Sequence, residues 1–235
     1  DWERLEEIYT KLEFNSLLSK IPEDKLSNKG STNYQIKYKI IKNNNYNSII
    51  EEIEDEKSFG FKFLFENKNY IKSEILGVGI KTKDNIPYYI SFLENDINIF
   101  EKSFKTYFES DKIEKYGHML KMDIFALLKL NTDIKNIVFD TMIGSYLLNP
   151  AQSNYDIDEL AKEYLNIYIA NEEELLGKGK SKKSFKDLNL ETQAEYISTN
   201  LDIVDKVKKS IDKKIEEQGM KKLYYEIELP LIEVL

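Results

Sequence analysis

The stretch SFGFKFLFENKN, residues Ser58 to Asn69, places Phe59, Phe61, Phe63 and Phe65 at every second position. Period two is the signature of a β-strand, and four phenylalanines on one face must be covered by other parts of the chain. The opposite face carries Gly60, Lys62, Leu64 and Glu66. An antiparallel strand can leave one face in water, so a lysine at its centre is admissible as a solvated residue. The rest of the chain bears on whether Lys62 has that role.

With 235 residues, 41% hydrophobic and 12% aromatic, the chain can bury one sizeable core. There is no cysteine, which excludes disulfides, thiolate chemistry and cysteine-type zinc sites. No apolar run approaches the roughly 18–20 residues of a membrane span. The start, DWERLEEIYTK, is charged and amphipathic and does not read as a signal peptide. A cytoplasmic protein without a membrane partner is expected. The net charge of −8, with Arg4 as the single arginine, argues against tight autonomous DNA binding.

Residues 1–20 have helical spacing, and Pro22 to Asn33 reads as a linker. Strands are expected at Tyr34–Ile41, Ser58–Phe65, Glu74–Thr82 and Ile86–Leu93, the last three as an antiparallel meander. Further strands are expected at Ile113–Gly117 and Asn136–Asp140. Helices are expected at Asn47–Asp55, capped by Asn47 or Ser48, at Asn95–Ser110 and at Met119–Leu130. Others follow at Thr141–Leu148, capped by Asp140 or Thr141, at Asp156–Leu165, capped by Asp156, and at Leu190–Gln218. Strands followed by alternating helix and strand describe an α/β domain with a mixed sheet.

Familiar catalytic constellations are absent. The single histidine, His118, reads as a partly exposed loop residue before a helix. Gly77 and Gly79 lie inside a strand with no following helix, so they mark close packing or a bulge and not a dinucleotide site. The run GKGKSKKSFKD, Gly177 to Asp187, reads as a mobile basic loop. Lys178, Lys180, Lys182 and Lys183 are its candidate phosphate contacts, although a lysine run is ordinarily a solvated surface.

Two segments carry a family likeness. IVFDTMIGSYLLNPAQSNYDIDELAKEYL, Ile137 to Leu165, resembles the 3′–5′ exonuclease domain of bacterial family A DNA polymerases, DNA polymerase I. In that family a short strand enters a helix through FDT, and the helix ends at an LNP turn. YYEIELPLIEVL, Tyr224 to Leu235, resembles the lead-in to the polymerase domain. LEFNSLLSKI, Leu12 to Ile21, resembles the tail of the preceding 5′-nuclease domain. EKYGHMLKMD and GKGKSKKSFKDL fall between in the family's order. The likeness thus divides the chain into a helical tail and linker at 1–33, an exonuclease-like domain at 34–222 and a lead-in at 223–235.

The resemblance implies an RNase H-like (DnaQ-type) exonuclease fold, with a mixed central sheet flanked by helices. Active members hold two divalent ions, Mg²⁺ or Mn²⁺, on four carboxylates, and a tyrosine orients the attacking water. The family's Asp-x-Glu motif falls on Lys62 and Leu64. Its Asn and Asp, four residues apart, fall on Met119 and Asp123. Its Tyr-x-x-x-Asp falls on Tyr196 and Asn200. One metal carboxylate, Asp123, remains at these positions. The resemblance therefore implies a degenerate exonuclease domain with no bound metal, in which Lys62 pairs with Asp123. Lys62, Asp123 and Asn200 are expected to converge in a cleft at the edge of the sheet.

Such a domain would act as a monomeric scaffold for the polymerase domain of the same chain in DNA replication and repair, touching DNA weakly. Two other readings stand beside it. One is an active proofreading exonuclease using substitute acids such as Glu66 or Asp202. The other is a protein-interaction module unrelated to polymerases.

Overall fold

The computed structural model describes residues 2–11, 34–67, 69–83, 85–179 and 182–233. The chain divides into two compact units, residues 1–34 and 35–235. In the first, helix α1 (Trp2–Lys11) bears out the start of the expected N-terminal helix. The linker expected at 22–33 lies outside the described residues.

The second unit is built on a six-stranded sheet. Its elements in chain order are β1 (Lys39–Ile41), α2 (Asn47–Glu56), β2 (Ser58–Phe65), β3 (Ile75–Thr82), β4 (Tyr88–Ser91), α3 (Ile97–Phe108) and β5 (Glu114–Gly117). Then come α4 (Leu120–Lys129), β6 (Ile137–Asp140), α5 (Thr141–Leu148), α6 (Ile157–Leu165), α7 (Glu172–Leu176) and α8 (Leu190–Glu217). The order across the sheet is β1-β4-β3-β2-β5-β6. β2, β3 and β4 form the expected antiparallel meander, and β5 and β6 continue in parallel.

The phenylalanine face of β2 packs as its spacing requires. Phe59, Phe61 and Phe63 are buried, and their rings meet those of Phe100 and Phe108 on α3 at centroid distances of 5.0–6.3 Å. Burying a phenylalanine contributes on the order of 1.5–3 kcal/mol, so this seam is a principal stabilising contact of the unit. The opposite face is not solvated. α8 crosses it, and Leu64 packs with Ile197 and Leu201 in an apolar cluster. This burial on both faces is why Gly79 is needed. A Cβ there would lie 2.3 Å from Ile197 Cγ2 and 2.6 Å from Leu201 Cδ1. The bulge reading also holds, because the β2–β3 register shifts between Leu64 and Phe65, opposite Gly77 and Ile75.

Several local expectations are corrected. The strand expected at Tyr34–Ile41 is regular only at Lys39–Ile41, because β1 is an edge strand paired with β4 alone. The cap position of α2 is Tyr46 and makes no side-chain bond, so neither Asn47 nor Ser48 caps it. Asp156 occupies the cap position of α6 without a side-chain hydrogen bond. α7 has no expected counterpart. It is a single short turn closed by a capping box between Asn171 and Glu174. Residues 221–233 wind into short helical turns, Lys221–Leu223, Tyr224–Glu228 and Pro230–Glu233, which pack on the same unit.

Gly79→Ala is expected to destabilise the chain by roughly 1–3 kcal/mol through overpacking against α8. A urea midpoint equal to the parent's would show that α8 can move away from β3 at no cost.

Candidate functional site

The lysine at the centre of β2 is neither fully solvated nor isolated, its side chain being 19% exposed. Lys62 Nζ lies 3.0 Å from Asp123 Oδ2 and donates to the His118 carbonyl at 3.2 Å. The other carboxylate oxygen of Asp123 accepts the Phe63 N–H at 2.7 Å. This arrangement follows from the sheet. β5 pairs with β2 only as far as Gly60–Tyr116, after which the chain turns into α4. The Phe63 N–H lies past the last β5 pair, and the first turn of α4 supplies its acceptor through Asp123.

α4 is held in turn by Asp140. Its buried carboxylate accepts the N–H groups of Met119 and Leu120 at 3.3 and 2.8 Å, and those of Met142 and Ile143 at 2.8 and 3.3 Å. One side chain thus caps α4 and α5 together, where the sequence pointed to α5 alone. Met119 takes the cap position of α4 at φ 53°, a left-handed conformation that costs a side-chain-bearing residue roughly 1–2 kcal/mol.

His118 corrects the expectation of exposure. It is buried, and its Nδ1 lies 2.9 Å from Thr141 Oγ1. Burial, reinforced by the Lys62 ammonium, lowers its pKa from the ordinary 6.5 to about 3. Burial pushes Asp123 the other way, to about 6, against the Lys62 charge and the Phe63 N–H that favour the carboxylate.

Lys62 opens onto a cleft of about 770 Å³ that is lined also by Met119, Tyr196 and Asn200. The convergence of Lys62 and Asn200 matches expectation, but two details differ. Asp123 sits behind Lys62, fully buried, and is not part of the lining. The cleft lies over an interior strand, not at the sheet edge, because β5 and β6 flank β2. Leu64 is 2% exposed and belongs to the apolar cluster beneath. Tyr196 and Asn200 are one turn apart on α8. Burial raises the tyrosine's pKa, opposed by its hydrogen bond to Asn200. The Tyr196 ring lies 4.9 Å from that of Phe185, a contact that sequence spacing does not reveal.

The basic loop lies at the cleft's rim. Lys178 pairs with Glu173 at 3.0 Å and Lys182 with Glu172 at 2.8 Å, so α7 supplies carboxylates to these two lysines. Lys183 is exposed, and Lys180 lies outside the described residues. Lys62, Lys178 and Lys182 are the lining cations, against Asp156, Asp158, Glu159, Glu172 and Glu173, a formal excess of two negative charges among the described residues. The substitute acids stand elsewhere. Asp202 pairs with Lys206 at 2.8 Å and lies 3.9 Å from Lys81, and Glu66 is not part of the lining. Among the described residues no three His, Cys, Asp or Glu side chains gather as a metal-ion group.

Lys62→Met should strand a buried carboxylate and cost roughly 2–4 kcal/mol, whereas Lys62→Met with Asp123→Asn should recover most of that. A double variant no more stable than the single one in urea would refute this. A second expectation concerns pH. The folded chain keeps His118 neutral to about 3, so its stabilising contribution is present above pH 6.5 and lost as pH falls toward 3. Asp123, with its folded pKa raised to about 6, contributes in the opposite sense, its part being lost as pH rises through 6. Comparing the parent with His118→Asn between pH 7 and 4 separates the two: the parent should lose stability relative to the variant. A constant difference would show that the imidazole does not titrate on unfolding.

Comparisons with known proteins bear on the family and the fold. The family described as "DNA polymerase I, ribonuclease H-like domain" matches residues 61–207. DNA polymerase I of Bacillus subtilis is 23% identical over 230 residues, covering 97% of this chain and 24% of that protein. DNA polymerase I of Pseudomonas aeruginosa is 23% identical over 201 residues, covering 81% of this chain and 22% of that protein. The chain therefore spans about a quarter or less of these relatives' length. Among solved structures, Escherichia coli RNase D aligns with a TM-score of 0.66 at 14% identity, over 85% of this chain and 50% of its own. Brucella melitensis NrnC aligns at 0.62 and 15% identity, over 85% and 91%. These likenesses place the mixed sheet and its flanking helices in the RNase H-like exonuclease fold. No helix among the described residues is long and apolar enough to cross a membrane. With the family match covering β2 through most of α8, the chain belongs to the ribonuclease H-like, 3′–5′ exonuclease domain family of DNA polymerase I.

Proposed function

We propose that this is a degenerate exonuclease domain, which has kept the fold and lost the metal site, and which serves as a scaffold for a polymerase domain in the same chain during DNA replication and repair. The observation that carries the proposal is the Lys62–Asp123 pair. The resemblance assigns metal carboxylates to positions 62, 64, 123 and 200, where this chain has Lys, Leu, Asp and Asn. That donor set does not fit two divalent ions. The single carboxylate has one oxygen on an ammonium and the other on a backbone N–H. A lysine about 4 Å from a divalent ion would cost roughly 8 kcal/mol at an effective dielectric near 20. Leu64, buried among apolar side chains, offers no ligand.

Electrostatics supports only weak contact with DNA. A lining with excess negative charge repels phosphates, and Lys178 and Lys182 already face glutamates. The reading with substitute acids is not favoured, because Asp202 is held by Lys206 and Lys81 away from the cleft.

Restoring the carboxylates tests the proposal. The variant is Lys62→Asp, Leu64→Glu and Asn200→Asp. Without metal it should be less stable than the parent, because carboxylates cluster and the side chain replacing Leu64 brings a charge into an apolar site. With Mn²⁺ at a hundredfold over its dissociation constant it should regain about 2.7 kcal/mol, and the parent should not respond. Should the triple variant fail to fold, Lys62→Asp with Asn200→Asp spares Leu64 and carries the same expectation. Thermal melting with and without Mn²⁺ is the measurement. A parent as responsive to Mn²⁺ as the variants would refute a lost metal site.

A further inference from the structure

We infer that Tyr224 is a positioning residue that couples the C-terminal segment, residues 221–233, to the cleft, so that displacing the segment loosens the Lys62–Asp123 pair. This goes beyond the scaffold reading and holds whether or not the domain hydrolyses DNA.

The coupling follows from β6 being a sheet edge. Among the described residues β6 pairs with β5 on one side only, and no strand meets the outward N–H and C=O at its end. Tyr224 meets both. Its hydroxyl accepts the Asp140 N–H and donates to the Asp140 carbonyl, each at 2.9 Å, with the side chain fully buried. The ring also packs on Phe139, centroids 5.0 Å apart. The tyrosine thus substitutes for a neighbouring strand at the residue whose carboxylate caps α4 and α5.

From there the path to the cleft is short. Asp140 holds the Leu120 N–H, which opens α4. Asp123, in the first turn of α4, holds the Phe63 N–H and the Lys62 ammonium. A second route returns through Thr141, whose hydroxyl meets His118 Nδ1 and donates to the Gly117 carbonyl, and His118 lends its own carbonyl to Lys62. Along these routes buried polar groups bond one another, so a shift at Asp140 cannot be absorbed by water. The far end is a rare turn. Tyr224–Glu228 is π-helical, with the Leu229 N–H donating to the Tyr224 carbonyl at 2.9 Å. Such turns are rare and are frequently found at functional sites.

Amide hydrogen exchange on the 235-residue chain tests this. Rates are read relative to the amides of β3, so that global destabilisation cancels. Tyr224→Phe should speed exchange of the Phe63 and Leu120 N–H groups roughly tenfold. Tyr225→Phe is the control. Its hydroxyl bonds Asp212 at 2.7 Å, in the same segment but off the path, and those two amides should not change. A purely local role for Tyr224 would loosen only residues 221–233 and the end of β6, and would overturn the inference. Reciprocity supplies a second arm that survives if Tyr224→Phe does not fold. Lys62→Met should speed exchange of the Leu229 N–H by a similar factor, and an unchanged Leu229 rate would overturn the inference as well.

Discussion

The Asp140 carboxylate holds the structure of the site together. Hydrogen bonds to a charged acceptor contribute roughly 1.5–3 kcal/mol each, which offsets part of the cost of burying the charge. The helix dipoles add to this, since two N-termini converge on one anion. Asp140 accepts four N–H groups and still has its pKa raised, burial outweighing the bonds that hold it charged. Remove that anion and the start of α4 has no acceptor. Asp123 would then lose its place against β2.

The Lys62–Asp123 ion pair shows how a buried carboxylate is compensated beside this cleft. Asp123 is fully buried, and a lone carboxylate there would carry a desolvation cost of several kcal/mol. An ammonium on the neighbouring strand neutralises it without any exogenous cation. The long methylene stem of Lys62 suits this role, because it reaches from an interior strand to the cleft wall. On the same strand face Leu64 joins Leu76, Tyr89 and Leu201 in an apolar cluster. Where a hydrophilic pocket would have required ligands, this chain has packing.

Packing of this kind suits a structural part. Both faces of the sheet are covered, and Lys178 and Lys182 are tied to α7. The C-terminal turns seat Tyr224, Leu229 and Ile232 on the unit and leave Tyr225, Ile227 and Leu231 more exposed. A segment with apolar residues on both sides fits a place between two bodies, in keeping with the proposed scaffold.

Much of the fold was legible in the sequence, and the reason is local. β2 was placed to the residue because alternating phenylalanines permit no other period, and α5 because Asp140 and Asn149–Pro150 bracket it. Position 62 was identified through the family likeness, and so was the partner of Lys62. Other features depended on tertiary structure. The burial of His118 depends on α5 bringing Thr141 to it across a crossing of 23 residues. The second cap made by Asp140 depends on β5 and β6 ending side by side. The contact of the Phe185 ring with Tyr196 depends on a loop folding back over α8. The pairing of Lys178 and Lys182 with glutamates depends on α7, a turn too short to leave a periodic signal. Sequence periodicity records which face of an element is apolar. It does not record which polar groups from distant segments meet once those faces are buried, and in this protein such meetings make the site.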